Sequence, residues 1–193
     1  MSISGSRVAG ITRESVLRRS ADIVRIALCA TVCWLLIDGR APAAYALALI
    51  SLTAIATRRA RASAVAEVVF VTLLAVDAWL TCSGHMARID QHDRAGHFLL
   101  TIAVTPIIAA AVTHHTRCVS RSVRLTAGLA GLATITLAVA WEAAEWFSDS
   151  LLLTNMSLGA ADTRHDLMSG LAGATVGAAI TAYDLARHRV NDR

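Results

Sequence analysis

The fold class that the sequence predicts is an all-α, polytopic transmembrane bundle of six spans with both termini in the cytoplasm. Three observations carry that expectation. Of the 193 residues, 55% are hydrophobic and mean hydropathy is +0.56, a balance too apolar for a soluble domain of this size. Apolar runs of near-spanning length recur six times, and a spanning helix needs about 20 such residues, or about 17 at the shortest. The arginines fall between those runs on alternating sides and in unequal numbers.

The runs cover residues 21–38, 43–57, 64–82, 97–113, 125–147 and 167–183, the second being the shortest. All 18 basic residues are arginine. An even number of spans leaves Arg7, Arg13, Arg18, Arg19, Arg58, Arg59, Arg61, Arg117, Arg121, Arg124, Arg187, Arg189 and Arg193 on one side. The other side holds Arg40, Arg88, Arg94 and Arg164, and Arg25 lies inside the first run. Cytoplasmic loops carry the excess of basic residues, so the richer side, with both termini, is cytoplasmic. Trp34, Trp79, Trp141 and Trp146 fall near the outer ends of runs, where amphipathic rings settle at the headgroup level.

The domain plan is accordingly simple. Residues 1–20 form a basic cytoplasmic lead-in, 21–186 the transmembrane bundle and 187–193 a cytoplasmic tail. A competing reading makes 23–37 the apolar core of a signal peptide, with Ala41-Pro42-Ala43 as the small-residue cleavage site. The leader before it is long for that role. The net charge of +4 is spread over short arginine clusters rather than one face, which points to the lipid bilayer as partner and not to nucleic acid. Cys29, Cys33, Cys82 and Cys118 lie in or beside apolar runs without CxxC spacing and read as small packing residues. Gly128 and Gly131 in the fifth run, with Gly170, Gly173 and Gly177 in the sixth, favour close helix approach. They predict a tight antiparallel pair of spans five and six.

Ionisable residues near a membrane are expensive, so their clustering carries information. Three pairs stand at the extracytoplasmic ends of runs: Asp93 with His97, Glu142 with Glu145, and Asp162 with Asp166. Spacings of three and four put each pair on one helix face. Together the five carboxylates carry −5, against +2 from Arg94 and Arg164. Protonation of some carboxylates or a bound cation would balance the difference. Carboxylates with histidine suit a divalent ion such as Mg²⁺, Mn²⁺, Ca²⁺ or Zn²⁺. The predicted metal set is His97, Glu142, Glu145, Asp162 and Asp166. Asp77, Asp93, Arg94, Arg164 and His165 stand around it, orienting ligands and trimming charge. His85 and His92 are accessory candidates. The plainer alternative makes all of these solvated charges and helix caps. His114 and His115, at the opposite end of the fourth run, read as headgroup-facing. No GxSxG, P-loop, HExxH or dinucleotide glycine pattern is present.

Three motifs in order, Asp93-Arg94-Ala95-Gly96-His97-Phe98, Trp141 to Glu145, and Asp162 to Leu167, resemble those of the YjdF-like family of small bacterial inner-membrane proteins. The resemblance covers about residues 75–180. It implies a bundle in the bacterial inner membrane with a functional outer surface, and it lends no reaction, since that family's biochemical function is undefined. VanZ-like proteins resemble the chain more distantly. The chain departs from the YjdF-like pattern where His114 and His115 replace an acidic-basic pair late in span four, and in a shorter loop before Asp162.

Three functions fit these residues. One is a metal-dependent enzyme acting on a lipid-linked or cell-envelope substrate. The second is a non-enzymatic binder, either a VanZ-like resistance accessory or a subunit of a membrane partner protein. The third is a proton- or cation-coupled transporter, against which stand the lack of repeat symmetry and the single interruption of a span by Pro106.

Overall fold

Thr12 opens the first helix by accepting a hydrogen bond from the Ser15 amide at 3.2 Å, leaving one amide fewer unsatisfied at the helix start. From there α1 runs unbroken over Arg13–Ile37. It stops where Gly39 adopts a φ of 74°, a left-handed turn that glycine makes without steric cost. The reversal leads at once into α2, Ala41–Thr57, with Pro42 in its first turn. A short 3₁₀ turn over Arg58–Ala60 follows, and Arg61, at φ 55°, sends the chain back into α3, Ala64–Cys82. Three longer helices complete the chain: α4 (Asp90–His115), α5 (Val123–Leu152) and α6 (Ala160–Asn191).

This computed structural model describes residues 12–82, 90–116, 122–152 and 159–191, and no strand occurs among them. Arg7, His85, Arg88, Arg117, Cys118, Arg121 and Arg193 lie outside the described residues.

The all-α expectation holds for the described residues, but the expectation of six apolar spans needs correction. Among the described residues, four helical stretches are long and apolar enough to cross a membrane: Arg13–Ile37, Ala41–Ala60, His92–His115 and Val123–Leu151. The second run, the shortest in sequence, is among them because its helix continues into the 3₁₀ turn. The third and sixth runs do form helices, yet each is diluted. α3 has 19 residues and spends two on Glu67 and Asp77. In α6 the apolar run is broken up by Ser169, Gly170, Gly173, Thr175, Gly177 and Thr181.

Contacts order the helices into two trios, α1–α2–α3 and α4–α5–α6, joined where α3 packs on α4. The apolar core lies mostly in and beside the first trio. Leu28 and Leu35 of α1, Leu47 and Ile50 of α2, and Phe70, Val71 and Leu74 of α3 meet Val104 and Ile107 of α4. Large apolar side chains also cover the outside: Ile26, Ile37, Leu52, Trp79, Leu132 and Trp146 are each more than half exposed. An outer surface of this kind suits hydrocarbon as its solvent.

The second trio is packed with small residues, and here a second correction applies. Gly173 and Gly177 face α4, not α5. A Cβ at Gly173 would overlap the Thr101 hydroxyl and the Phe98 carbonyl oxygen, and one at Gly177 would lie 2.7 Å from Thr105 Oγ1. Rising numbers on α6 meet rising numbers on α4, so these two helices run parallel. α5 is the antiparallel partner through other small residues, with Gly131 against Ala178 and Gly170 against Ala138. Between α4 and α5, the hydroxyls of Thr105 and Thr134, both fully buried, lie 3.0 Å apart.

At one end of the bundle a buried ionic clamp ties the first trio together. Glu67 of α3, 1% exposed, meets Arg25 of α1 at 2.7 Å and Arg18 of α1 at 2.9 Å. Arg25 also donates to the Ala54 carbonyl, to Thr57 and to Asp22. Arg18 reaches the Ala62 carbonyl, and Arg58 closes the ring on Asp22 at 3.3 Å. The start of α1, the end of α2 and the start of α3 therefore lie together, so the three helices alternate in direction.

Candidate functional site

The opposite end of the bundle gathers the three acidic and histidine pairs. Helix geometry does the first part of the work. Along α6 the buried positions Asp162, Asp166, Gly170, Gly173, Gly177 and Thr181 recur every three or four residues, which is one face of a helix. Gly170, Gly173 and Gly177 let that face sit against α4 and α5 with almost no gap. The two aspartates one and two turns above them are thereby carried inward. On α4 His97 sits one turn and Asp93 two turns above Thr101, the residue touching Gly173. On α5 Glu142 sits one turn above Ala138, the residue touching Gly170.

These elements bring all three sequence pairs together. His97 Nε2 lies 3.6 Å from Asp93 Oδ1 and 3.6 Å from Glu142 Oε1. Two triads, Asp93–His97–Asp166 and His97–Glu142–Glu145, each offer ligand atoms within 4.8 Å of one another. Glu142 is 5% exposed, Asp166 2% and Asp162 7%. The Asp162 charge acts on His97, and a Thr163 side-chain hydrogen bond engages Glu142. The Trp141 indole N–H donates to Glu145 Oε1 at 2.7 Å and fixes that carboxylate's direction. Asp77 enters from α3, near enough to Asp93 for their charges to interact.

Not every candidate is drawn in. Arg164 is exposed, because it lies two residues from both Asp162 and Asp166 and so projects from another face of α6. His165 is half-buried and belongs to neither triad, and His92 is exposed. Arg94 is half-buried, and its charge acts on Asp166. His114 and His115 are exposed at the far end of α4 with their rings edge to face.

The electrostatics follow from this placement. Among the described residues, six carboxylates (Asp77, Asp93, Glu142, Glu145, Asp162 and Asp166) share the site with one guanidinium, Arg94. Asp166, one residue before the last apolar run, is pushed up to about 7. Burial is the main cause, reinforced by the charges of Asp93, Asp162 and Glu142 and opposed by Arg94. Glu142 Oε1 and Asp166 Oδ1 are buried and have no hydrogen-bond partner among the described residues, a costly arrangement for acceptors of this kind.

The separations have a simple chemical meaning. At 3.6 Å, His97 Nε2 and its two carboxylate neighbours are beyond hydrogen-bond distance. Ligands held at about 2.0–2.2 Å around a tetrahedral ion are themselves about 3.3–3.6 Å apart. The 3.6 Å separations fall at the upper end of that ligand–ligand range. His97 is the residue that the two triads share.

Sequence reasoning missed several polar groups that the fold uses. It placed Arg25 inside a span without finding Glu67, although a charge at that depth demands a partner. It gave no role to Thr101, Thr105 and Thr134, whose spacing along α4 and α5 was the available signal.

Comparison with known proteins gives one family. Residues 20–187 match the family model described as predicted membrane protein (DUF2238), which is the YjdF-like family. No curated protein and no solved structure matches the chain.

Proposed function

We infer that this chain, which belongs to the DUF2238 family of predicted membrane proteins, holds a divalent cation at the extracytoplasmic end of α4, α5 and α6. One observation carries the reading. Buried acceptors on Glu142 and Asp166 lack hydrogen-bond partners among the described residues, and each belongs with His97 to a triad whose ligand atoms lie within 4.8 Å of one another, Glu142 Oε1 standing 3.6 Å from His97 Nε2. His97, Glu142 and Asp166 are the primary ligands, with Glu145, Asp93 and Asp162 completing or orienting the set. A cation there would polarise a phosphate oxygen or lower the pKa of a bound water. The function best supported is a metal-dependent enzyme of the bacterial inner membrane, acting on a lipid-linked or envelope substrate at headgroup level.

All six helices cross the bilayer in this reading, with both termini cytoplasmic. The arginine asymmetry supports it. So does the alternation of direction, which puts the arginine clamp and the acidic site at opposite ends. α3 and α6 accept lower hydropathy because each buries a polar or small face against its neighbours. A cysteine at Ala161, exposed beside the acidic site, should react with a membrane-impermeant thiol reagent in intact cells lacking the native cysteines. One at Thr116, exposed at the other end, should react only after permeabilisation. The reverse pattern would invert the orientation.

A transport role is disfavoured by what lies beneath the site. Gly173 presses on Phe98 and Thr101 one turn below His97, so the α4–α6 seam has no open path towards the other side. A VanZ-like accessory or partner subunit would share the cation but turn nothing over.

The metal reading is tested on purified protein stripped with chelator and dialysed against Mn²⁺ or Zn²⁺. Elemental analysis should find about one ion per chain. Glu142→Ala and Asp166→Ala should each weaken uptake more than about tenfold. Variants that load as well as the wild type would overturn it.

A further inference from the structure

Asp77 stands on α3, in the trio that supplies none of the three helix-end pairs. Its carboxylate nevertheless reaches the site through a gap in α4. A methyl group added at Gly96 would lie 2.9 Å from Asp77 Oδ1 and 4.0 Å from the same side chain's Cγ, the atoms of other helices that it would meet among the described residues. Gly96 sits one residue before His97 and three after Asp93. The missing side chain there is the doorway between the two trios.

From this juxtaposition we propose that Asp77 is a positioning residue of the cation site, admitted by Gly96, and that the bound ion staples α3 to the α4–α5–α6 trio through it. The inference rests on the metal reading given above. Its chemistry is that of outer carboxylates at metal centres, which fix the direction and basicity of the ligands they face. Here Asp77 lies near enough to Asp93 for their charges to interact, and Asp93 lies 3.6 Å from His97 Nε2. Asp77 also adds negative charge to a site with one guanidinium among the described residues, which raises the electrostatic advantage of a divalent ion over an empty site. It accounts for a glycine in the middle of a helical motif, where glycine otherwise costs about 1 kcal/mol relative to alanine.

Two consequences separate this proposal from a merely structural role for Asp77. Asp77→Asn keeps the side chain's shape and should weaken Mn²⁺ affinity by about ten- to a hundredfold, the range seen when an outer carboxylate is lost. The rise in melting temperature that Mn²⁺ gives the wild type should shrink with it. Gly96→Ala should weaken Mn²⁺ binding because its methyl displaces the Asp77 carboxylate. In an Asp77→Ala background the same methyl has nothing to displace, so adding Gly96→Ala should cause no further loss of affinity.

The experiment is Mn²⁺ titration of the wild type, Asp77→Asn, Gly96→Ala, Asp77→Ala and the double variant Asp77→Ala/Gly96→Ala, each in detergent. Melting temperatures are read with and without the ion. Weakened binding in Asp77→Asn and Gly96→Ala, with non-additivity in the double variant, supports the proposal. Wild-type uptake matched by Asp77→Asn overturns the role of Asp77 alone and leaves the metal site standing. Additive losses from Gly96→Ala overturn the doorway. Absence of uptake by the wild type overturns both this inference and the metal reading.

Discussion

Gly173→Leu should leave no folded bundle in detergent. Even a single methyl at that position overlaps the Thr101 hydroxyl and the Phe98 carbonyl oxygen. The second of these is backbone and cannot rotate away. Overpacking of a core costs about 1–3 kcal/mol when side chains yield, and a helix that must back away from another loses its whole seam besides. The comparison is Gly128→Leu, at a position of α5 with nothing within 4 Å of an added Cβ. That variant should melt near the wild-type temperature, with helix propensity slightly in its favour. Equal melting of the two variants would remove the α4–α6 seam as a stabilising element.

Glu67→Ala should produce the second large loss. Its carboxylate is 1% exposed and answers both Arg25 and Arg18. Removing one member of a buried ionic network leaves charge uncompensated and costs about 3–5 kcal/mol. Arg25 is itself 6% exposed, and Asp22 would be its one remaining carboxylate partner. α1 should loosen from α2 and α3, which protease accessibility near residue 20 can read alongside thermal melting. Glu14→Ala removes a pair to the same Arg18, but Glu14 is 65% exposed. Exposed pairs contribute about 0.2–1 kcal/mol, so that variant should be close to silent. If Glu14→Ala and Glu67→Ala melt alike, the clamp is not holding the first trio.

What the sequence made legible, and what it hid, divides along a physical line. Bilayer thickness acts on contiguous residues, so the helices lie close to the apolar runs, and α5 encloses 125–147 as α6 encloses 167–183. Helix periodicity is local too, and it put Asp93 with His97 and Asp162 with Asp166 on shared faces. The same periodicity already placed Arg164 away from those two aspartates, two residues from each. Counting charges by proximity in sequence overrode that geometry.

Partner choice is not local. Gly170, Gly173 and Gly177 announce that α6 has a thin face but not which helix it receives. Adjacency in sequence favoured α5, whereas α4 takes Gly173 and Gly177. The Arg25–Glu67 pair spans 42 residues, and no pattern along the chain links them. The low hydropathy of α6 has a related cause. The small and hydroxylated residues that let it pack against α4 and α5 lower its apolar average.

The cation at His97 is the central claim, and the measurement that reaches it most directly is an anomalous scattering map from crystals of Mn²⁺- or Zn²⁺-loaded protein. A peak is expected about 2.0–2.2 Å from His97 Nε2, flanked by carboxylate oxygens of Glu142 and Asp166. A map without a peak among these residues, from protein soaked in the ion at saturating concentration, would contradict the account. The buried carboxylates would then have to be balanced by shared protons instead.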